Sequence, residues 1–357
     1  ASTSYSFTLD TTAPAGPSVS LASDTGTSTT DGVTRVGTVN VTGFESGSTW
    51  EYSTNNGVSW TSGSGSSFTV TGDGLKSVLV RQTDVAGNIS SPTSYTFTLD
   101  TTAAAPTVTL SSDTGTSSSD KTTSVGTLSL SNVETGSTVE YSVDGGTTWT
   151  GSFSAVEGDN TVLVRQTDVA GNVSASTSYS FTLDTTAPTT TVSTVGFSND
   201  TGTSTTDFNT NSASQTISGT LSANVASGEV VKVSLDNGVT WQGATAEEGT
   251  NTFSLSGITL SGSNTFQVRV EDAAGNAGTA KTGNYTLDTV AAAPTVTLSS
   301  DTGSSSTDKL TKSGTLSLSN VETGSTVEYS VDGGTTWTGS FSAVEGDNTV
   351  LVRQTDV

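Results

Sequence analysis

Aspartate recurs through this 357-residue sequence in three fixed settings. The first is Leu-Asp-Thr-Thr at Asp10, Asp100 and Asp184, with Asp288-Thr-Val as a looser copy. The second is Asp-Thr-Gly followed by a further acid, which pairs Asp24 with Asp31, Asp113 with Asp120 and Asp200 with Asp207. The third is Asp-x-Ala-Gly-Asn, at Asp84 and Asn88, Asp168 and Asn172, and Asp272 and Asn276, with Asp356 as a shortened copy. These side chains offer only oxygen donors for a cation. Asp, Asn and backbone carbonyls are what Ca²⁺ selects, in preference to the softer transition metals.

Much other chemistry is excluded by composition. Histidine, cysteine and methionine are absent, so no thiolate nucleophile, disulfide, Cys/His zinc site or Ser-His-Asp triad is available. With 34 acidic against 11 basic residues the net charge is −23, the wrong sign for neutralising phosphates, so nucleic acid is not an expected partner. No apolar run is long enough to span a bilayer, and no basic-then-apolar leader is present, so membrane insertion is not expected.

The aspartates keep one order, which makes the chain a tandem array of modules of about 90 residues. Residues 1–12 read as the last strand of a preceding repeat. Repeats then follow at 13–100, 101–184 and 185–288, the third with insertions, and 289–357 reads as a fourth that stops before its last strand. The whole reads as a window cut from a longer array. Gly126–Val169 and Gly314–Val357 are identical residue for residue. Within a module the apolar period is two, as in Tyr179, Phe181 and Leu183, and Val and Thr dominate these runs. For repeat 2 strands are expected at 107–111, 124–131, 138–143, 147–150, 152–156, 160–167 and 177–183. Seven short strands per repeat predict an all-β fold of tandem immunoglobulin-like β-sandwiches in an elongated array.

That fold would gather the acids. In such a module the loop between the first two strands lies at the end where the chain leaves, and the loop between the last two lies where it arrives. The Asp-Thr-Gly loop of one module then faces the Asp-x-Ala-Gly-Asn loop of the next. The first junction would collect Asp24, Asp31, Asp100, Asp168 and Asn172. The second would collect Asp113, Asp120, Asp184, Asp272 and Asn276. The third would collect Asp200, Asp207, Asp288 and Asp356, and at the start Asp10 would meet Asp84 and Asn88. Carboxylates crowded together raise one another's pKa unless a cation sits among them. Ca²⁺ is the expected cofactor, and neighbouring repeats are the expected partners.

A further motif, Ser-x-Asp-x-Gly-x-Thr-Trp, occurs at Ser142–Trp149, Ser234–Trp241 and Ser330–Trp337, and in softened form at Ser53–Trp60. It matches the Asp-box known from sialidase propellers and unrelated β folds. Asp-Gly and Asn-Gly between strand-like runs make it a hairpin rather than a catalytic element. No asymmetric acid–base pair is evident, so no enzymatic activity is expected. Trp50, Phe44, Phe197 and Phe208 stand where other repeats carry Val or polar residues. If exposed, they offer an alternative function as ligand-binding modules for glycan or ice.

Leu-Asp-Thr-Thr-Ala-Pro, Ser-Asp-Thr-Gly-x-Ser-x-x-Asp and Thr-Asp-x-Ala-Gly-Asn together resemble the bacterial Ig-like repeats of giant Bap-type and RTX adhesins, over essentially the whole chain. The resemblance implies a non-catalytic spacer of a biofilm-associated cell-adhesion protein, stiffened by calcium at its junctions and projecting a distal adhesive region. It further implies an extracellular location on a Gram-negative surface after type I secretion.

Overall fold

The computed structural model describes residues 1–201 and 204–356. It is all-β: among the described residues there is no helix, hence none long and apolar enough to cross a membrane. Packing divides the chain into two compact units, Ala1–Asp113 with Val125–Leu183, and Thr114–Ser124 with Asp184–Val357.

The first repeat holds β1 (Ser18–Leu21), β2 (Val33–Thr34), β3 (Thr38–Thr42), β4 (Thr49–Ser53), β5 (Thr61–Ser62), β6 (Ser67–Thr69), β7 (Gly74–Thr83) and β8 (Thr93–Leu99). The second holds β9 (Thr107–Leu110), β10 (Thr122–Thr123), β11 (Leu128–Ser131), β12 (Thr138–Ser142), β13 (Gly158–Thr167) and β14 (Thr177–Leu183). The third holds β15 (Val192–Phe197), β16 (Asn209–Thr210), β17 (Ser214–Leu221), β18 (Val230–Ser234), β19 (Gln242–Ala244), β20 (Thr252–Thr259), β21 (Asn264–Glu271) and β22 (Lys281–Leu287). The fourth holds β23 (Thr295–Leu298), β24 (Leu316–Ser319), β25 (Thr326–Ser330) and β26 (Leu351–Thr355).

In the first repeat a sheet β1-β3-β6 faces a sheet β2-β8-β7-β4-β5, and the third repeats this plan with β15-β17-β20 and β16-β22-β21-β18-β19. Pairing is antiparallel except for β2 with β8 and β16 with β22. These are tandem immunoglobulin-like β-sandwiches. Alternation fills them: along β7, Val78, Val80 and Gln82 are buried while Leu79 and Arg81 turn outward. Val39, Val41, Trp50, Phe68, Phe97 and Leu99 complete that core. In the third repeat Ile217, Val231, Phe253, Phe266 and Tyr285 do the same.

The second repeat departs from expectation at 147–156. Thr150 makes a single bridge to Tyr141, and residues 152–156 form no strand. The side chain of Asn160 accepts from the N–H of Val156 at 2.9 Å and donates to its carbonyl at 2.7 Å, so that backbone is satisfied without a neighbouring strand. The corresponding position in the first repeat is Lys76, which has no such means, and there Ser67–Thr69 does pair with Thr38–Asn40.

The Asp-box hairpins turn on two left-handed residues each, Asn56-Gly57, Gly145-Gly146, Asn237-Gly238 and Gly333-Gly334, the signature of a type I′ turn. Asp144 is held by Thr148 and Ser142: its Oδ2 accepts from Thr148 Oγ1 at 2.6 Å and its Oδ1 from Ser142 Oγ at 2.7 Å. Trp149 then lies under Arg165, whose guanidinium carbon is 3.9 Å from the ring centre and whose Nη2 is 3.0 Å from Glu140. Every repeat carries this Trp–Arg stack, so the box is a structural brace.

Candidate metal centre

In the first unit three carboxylates converge. One oxygen from each of Asp100, Glu134 and Asp168 lies within 4.8 Å of the others. Asp100 follows β8, its N–H donating to Thr34 at 2.9 Å and its Oδ1 accepting from Thr102 N–H at 3.2 Å. Asp168 follows β13 and is 1% exposed. Asn172 folds back on it, the backbone N–H reaching Oδ1 at 2.8 Å and Nδ2 reaching Oδ2 at 2.7 Å. The same Nδ2 donates to the Asp100 carbonyl at 2.8 Å, so the Asp-x-Ala-Gly-Asn loop grips the linker. Glu134 accepts from Ala104 N–H at 2.7 Å.

Among the described residues no Lys or Arg pairs with these three acids. Two unit charges 4.8 Å apart repel by about 3 kcal/mol at an effective dielectric of about 20, before solvent screening. Burial, followed by the charges of Asp168, Asp73 and Glu134, holds the Asp100 carboxyl above the usual carboxylate range, against a smaller opposing effect of the Thr102 bond.

The Asp-Thr-Gly loop of the first repeat also reaches the loop at Asp168. Thr25 Oγ1 donates to the Ala170 carbonyl at 2.6 Å, Arg35 Nη1 to that of Gly171 at 2.5 Å, and Thr27 N–H to that of Val169 at 3.4 Å. Gly26 sits so close that a Cβ there would lie 1.9 Å from the Val169 oxygen. Asp24 and Asp31 stand outside the three-carboxylate group. Asp24 Oδ2 accepts from Gly32 N–H at 3.0 Å, while its Oδ1 is buried with no hydrogen-bond partner, an atom suited to a cation. Asp31 caps its own turn, accepting from Val33 N–H at 2.9 Å. At the start of the chain Asn88 Nδ2 donates to the Asp10 carbonyl at 3.2 Å and to Asp84 Oδ2 at 2.8 Å, and that bond is the largest effect holding Asp84 below its ordinary pKa.

The second unit repeats part of the arrangement. Asn276 Nδ2 donates to Asp272 Oδ2 at 2.9 Å and to the Asp184 carbonyl at 2.8 Å, and Thr114 Oγ1 donates to the Ala274 carbonyl at 2.5 Å. Asp120 accepts from Thr122 N–H at 2.9 Å; Asp113 belongs to the first unit. Asp200 matches Asp24: its Oδ2 accepts from Phe208 N–H at 3.1 Å and its Oδ1 is buried without a partner. Burial and neighbouring Asp207 raise its pKa against the Phe208 bond. Asp207 accepts from Asn209 N–H at 3.1 Å and Asp288 from Val290 N–H at 3.0 Å. Asp356 follows β26; Val357 and residues 202–203, within the Asp200–Asp207 loop, lie outside the described residues.

Two residues escape a reading based on aspartate. Glu134 recurs as Glu45 and Glu322 ahead of a Gly-Ser turn, and the third repeat has Ala226 there. Gln166, fully buried, accepts from Glu134 N–H at 2.8 Å and donates to the linker carbonyl of Ala104 at 2.6 Å. Gln82 and Gln354 do the same for Ala15 and Ala292, and the third repeat has Val270. The Arg-Gln-Thr-Asp recurrence was the available signal. The alternative use of aromatics as an exposed binding face is corrected by burial. Trp50 is 5% and Phe197 9% exposed, and Phe44 and Phe208 pack against the same cores.

Residues 186–289 match the model of the bacterial Ig-like domain, Big_13. No curated protein matches the sequence. Among solved structures the chain is similar to a tetra-tandem repeat in the extending region of a large adhesion protein, at 22% identity over 80% of this chain and 77% of that one, with a TM-score of 0.21. It is similar to a segment of a 1.5-MDa bacterial ice-binding adhesin at 20% identity, over 77% and 98% of the two chains, with a TM-score of 0.28. It is also similar to the FN1–FN3 domains of chicken CNTN1 at 13% identity, over 77% and 99%, with a TM-score of 0.33.

Proposed function

We propose that this chain is a non-catalytic spacer of a bacterial cell-surface adhesin, working outside the cell, whose Ig-like modules are fixed end to end by Ca²⁺ at their boundaries. The observation that carries the reading is the meeting of Asp100, Glu134 and Asp168 with no cationic side chain among them. The ligands would be those three with the carbonyl-rich Asp168–Asn172 loop, and Asp24 through its unpartnered oxygen. Asp184, Asp272 and Asn276, Asp10, Asp84 and Asn88, and Asp288 with Asp356 would serve the other boundaries. The adhesin setting rests on the Leu-Asp-Thr-Thr-Ala-Pro and Asp-x-Ala-Gly-Asn resemblance and on the bacterial Ig-like match over residues 186–289.

The mechanism is electrostatic. A short linker such as 101–106 flexes unless both sides are tied, and a shared cation removes that freedom while cancelling the repulsion of the acids. Extracellular modules hold Ca²⁺ with dissociation constants of about 0.1–1 mM, so such sites fill outside the cell and empty within it. Small-angle scattering of the whole chain tests this. Calcium should narrow the distribution of sizes, and chelator should broaden it. An unchanged profile, together with no heat of calcium binding, rejects the reading.

A further inference from the structure

We propose that copies of this 357-residue chain join head to tail, the segment Ser4–Leu9 of one copy adding as a strand to the open edge of β26 in the next. Residues 1–14 are identical to residues 175–188, which contain β14. In the second repeat β14 pairs with β13, setting Tyr179 opposite Val162, Phe181 opposite Asn160 and Leu183 opposite Gly158. Phe181 is then 4% and Leu183 8% exposed. Their counterparts Phe7 and Leu9 are 74% and 77% exposed, and Tyr5 is 87% exposed.

The complementary groove is present in the fourth repeat. Gly126–Val169 and Gly314–Val357 are the same sequence, yet β13 runs through Gly158–Thr167 while β26 spans only Leu351–Thr355. What differs is the neighbour. Among the described residues β26 pairs with β25 alone, in a two-stranded sheet. In the second repeat Leu128, Tyr141, Phe153 and Leu183 line a cavity of about 390 Å³. In the fourth, Leu316, Tyr329 and Phe341 line one of about 540 Å³, with nothing in the place of Leu183. The identities place Leu9 in that gap, Phe7 opposite Asn348 and Tyr5 opposite Val350. An unpaired edge beside an apolar groove accepts a strand by main-chain pairing, with alternate side chains setting the register. Because donor and acceptor are different surfaces, the contact does not close on itself and growth is open-ended.

The proposal is independent of the calcium reading, and the test keeps the two apart. Light scattering and sedimentation of the full chain should show mass rising with concentration to twice the monomer and beyond, in calcium and in chelator alike. A Phe7→Asp/Leu9→Asp variant, altered only where the side chains are exposed, should stay monomeric. A labelled peptide of residues 1–14 should bind that variant one to one and halt growth of the unaltered chain, and the same peptide with Phe7→Asp should do neither. A single monomer mass at every concentration, equal association by the variant, association confined to calcium, or no binding of the peptide would each overturn the proposal.

Discussion

Gln166 donates from Nε2 to the backbone carbonyl of Ala104 at 2.6 Å, so a fully buried side chain of the second sandwich holds the linker that leads into it. It also holds Asn132 and Glu134 through their backbones. Gln166→Leu keeps the volume but strands these groups. It should lower stability by about 1–3 kcal/mol, the usual loss when buried partners are left unpaired. Chemical denaturation followed by the tryptophans reads this, and Val270→Gln in the third repeat should bring no gain.

Asp100→Asn and Glu134→Gln should each weaken calcium binding by calorimetry and reduce the rise in melting temperature that calcium gives. The pH dependence follows from the raised pKa of Asp100. A carboxyl whose folded pKa is raised destabilises the fold when ionised, so without calcium that penalty fades as pH falls through the raised value. With calcium the sign reverses, because protons compete for the same oxygens. Asp100→Asn should flatten both trends.

Asp236 in the third Asp-box is lowered to about 2 from 3.8, first by the Thr240 hydroxyl, then by the Thr240 N–H and the Ser234 hydroxyl. A depressed carboxyl contributes stability that is whole above its unfolded value and is lost as pH falls through the folded one. The hairpin should therefore hold at pH 4 and open toward about pH 2. The indole N–H of Trp241, bonded to Gly238 at 3.0 Å, gives an NMR signal for the titration, and Asp236→Ala should weaken the bond at neutral pH.

Gly26 has φ +98° and no room for a side chain beside Val169. Gly26→Ala should destabilise by more than about 1 kcal/mol, since it meets both strain and a clash. Gly151, which has ordinary φ and nothing within 4 Å, is the control: Gly151→Ala should be neutral or slightly stabilising. Thermal melts of the two variants decide the comparison.

The alternation of Tyr179, Phe181 and Leu183 made the β-sandwich legible, because period two admits no other buried arrangement. The meeting of Thr25 with Ala170 followed from where loops must lie in such a module. Glu134 was not legible, since an acid ahead of a Gly-Ser turn has an ordinary role there, and only the fold brings it to Asp100. Asp24 and Asp31 looked like partners of Asp168 because spacing cannot say which way a carboxylate points, and their own turns claim them. The strand expected at 152–156 failed for a local reason, the capture of Val156 by Asn160.

The contrast between β13 and β26 also bears on how such a protein comes into being. Ten residues are extended in one copy and five in its twin, so the sandwich is finished only when its final segment arrives. Each module must then remain ajar until the polypeptide beyond it has emerged. Assembly is thereby given a direction, and a chain threaded through a narrow passage stays pliable at its newest part while the older part has already set.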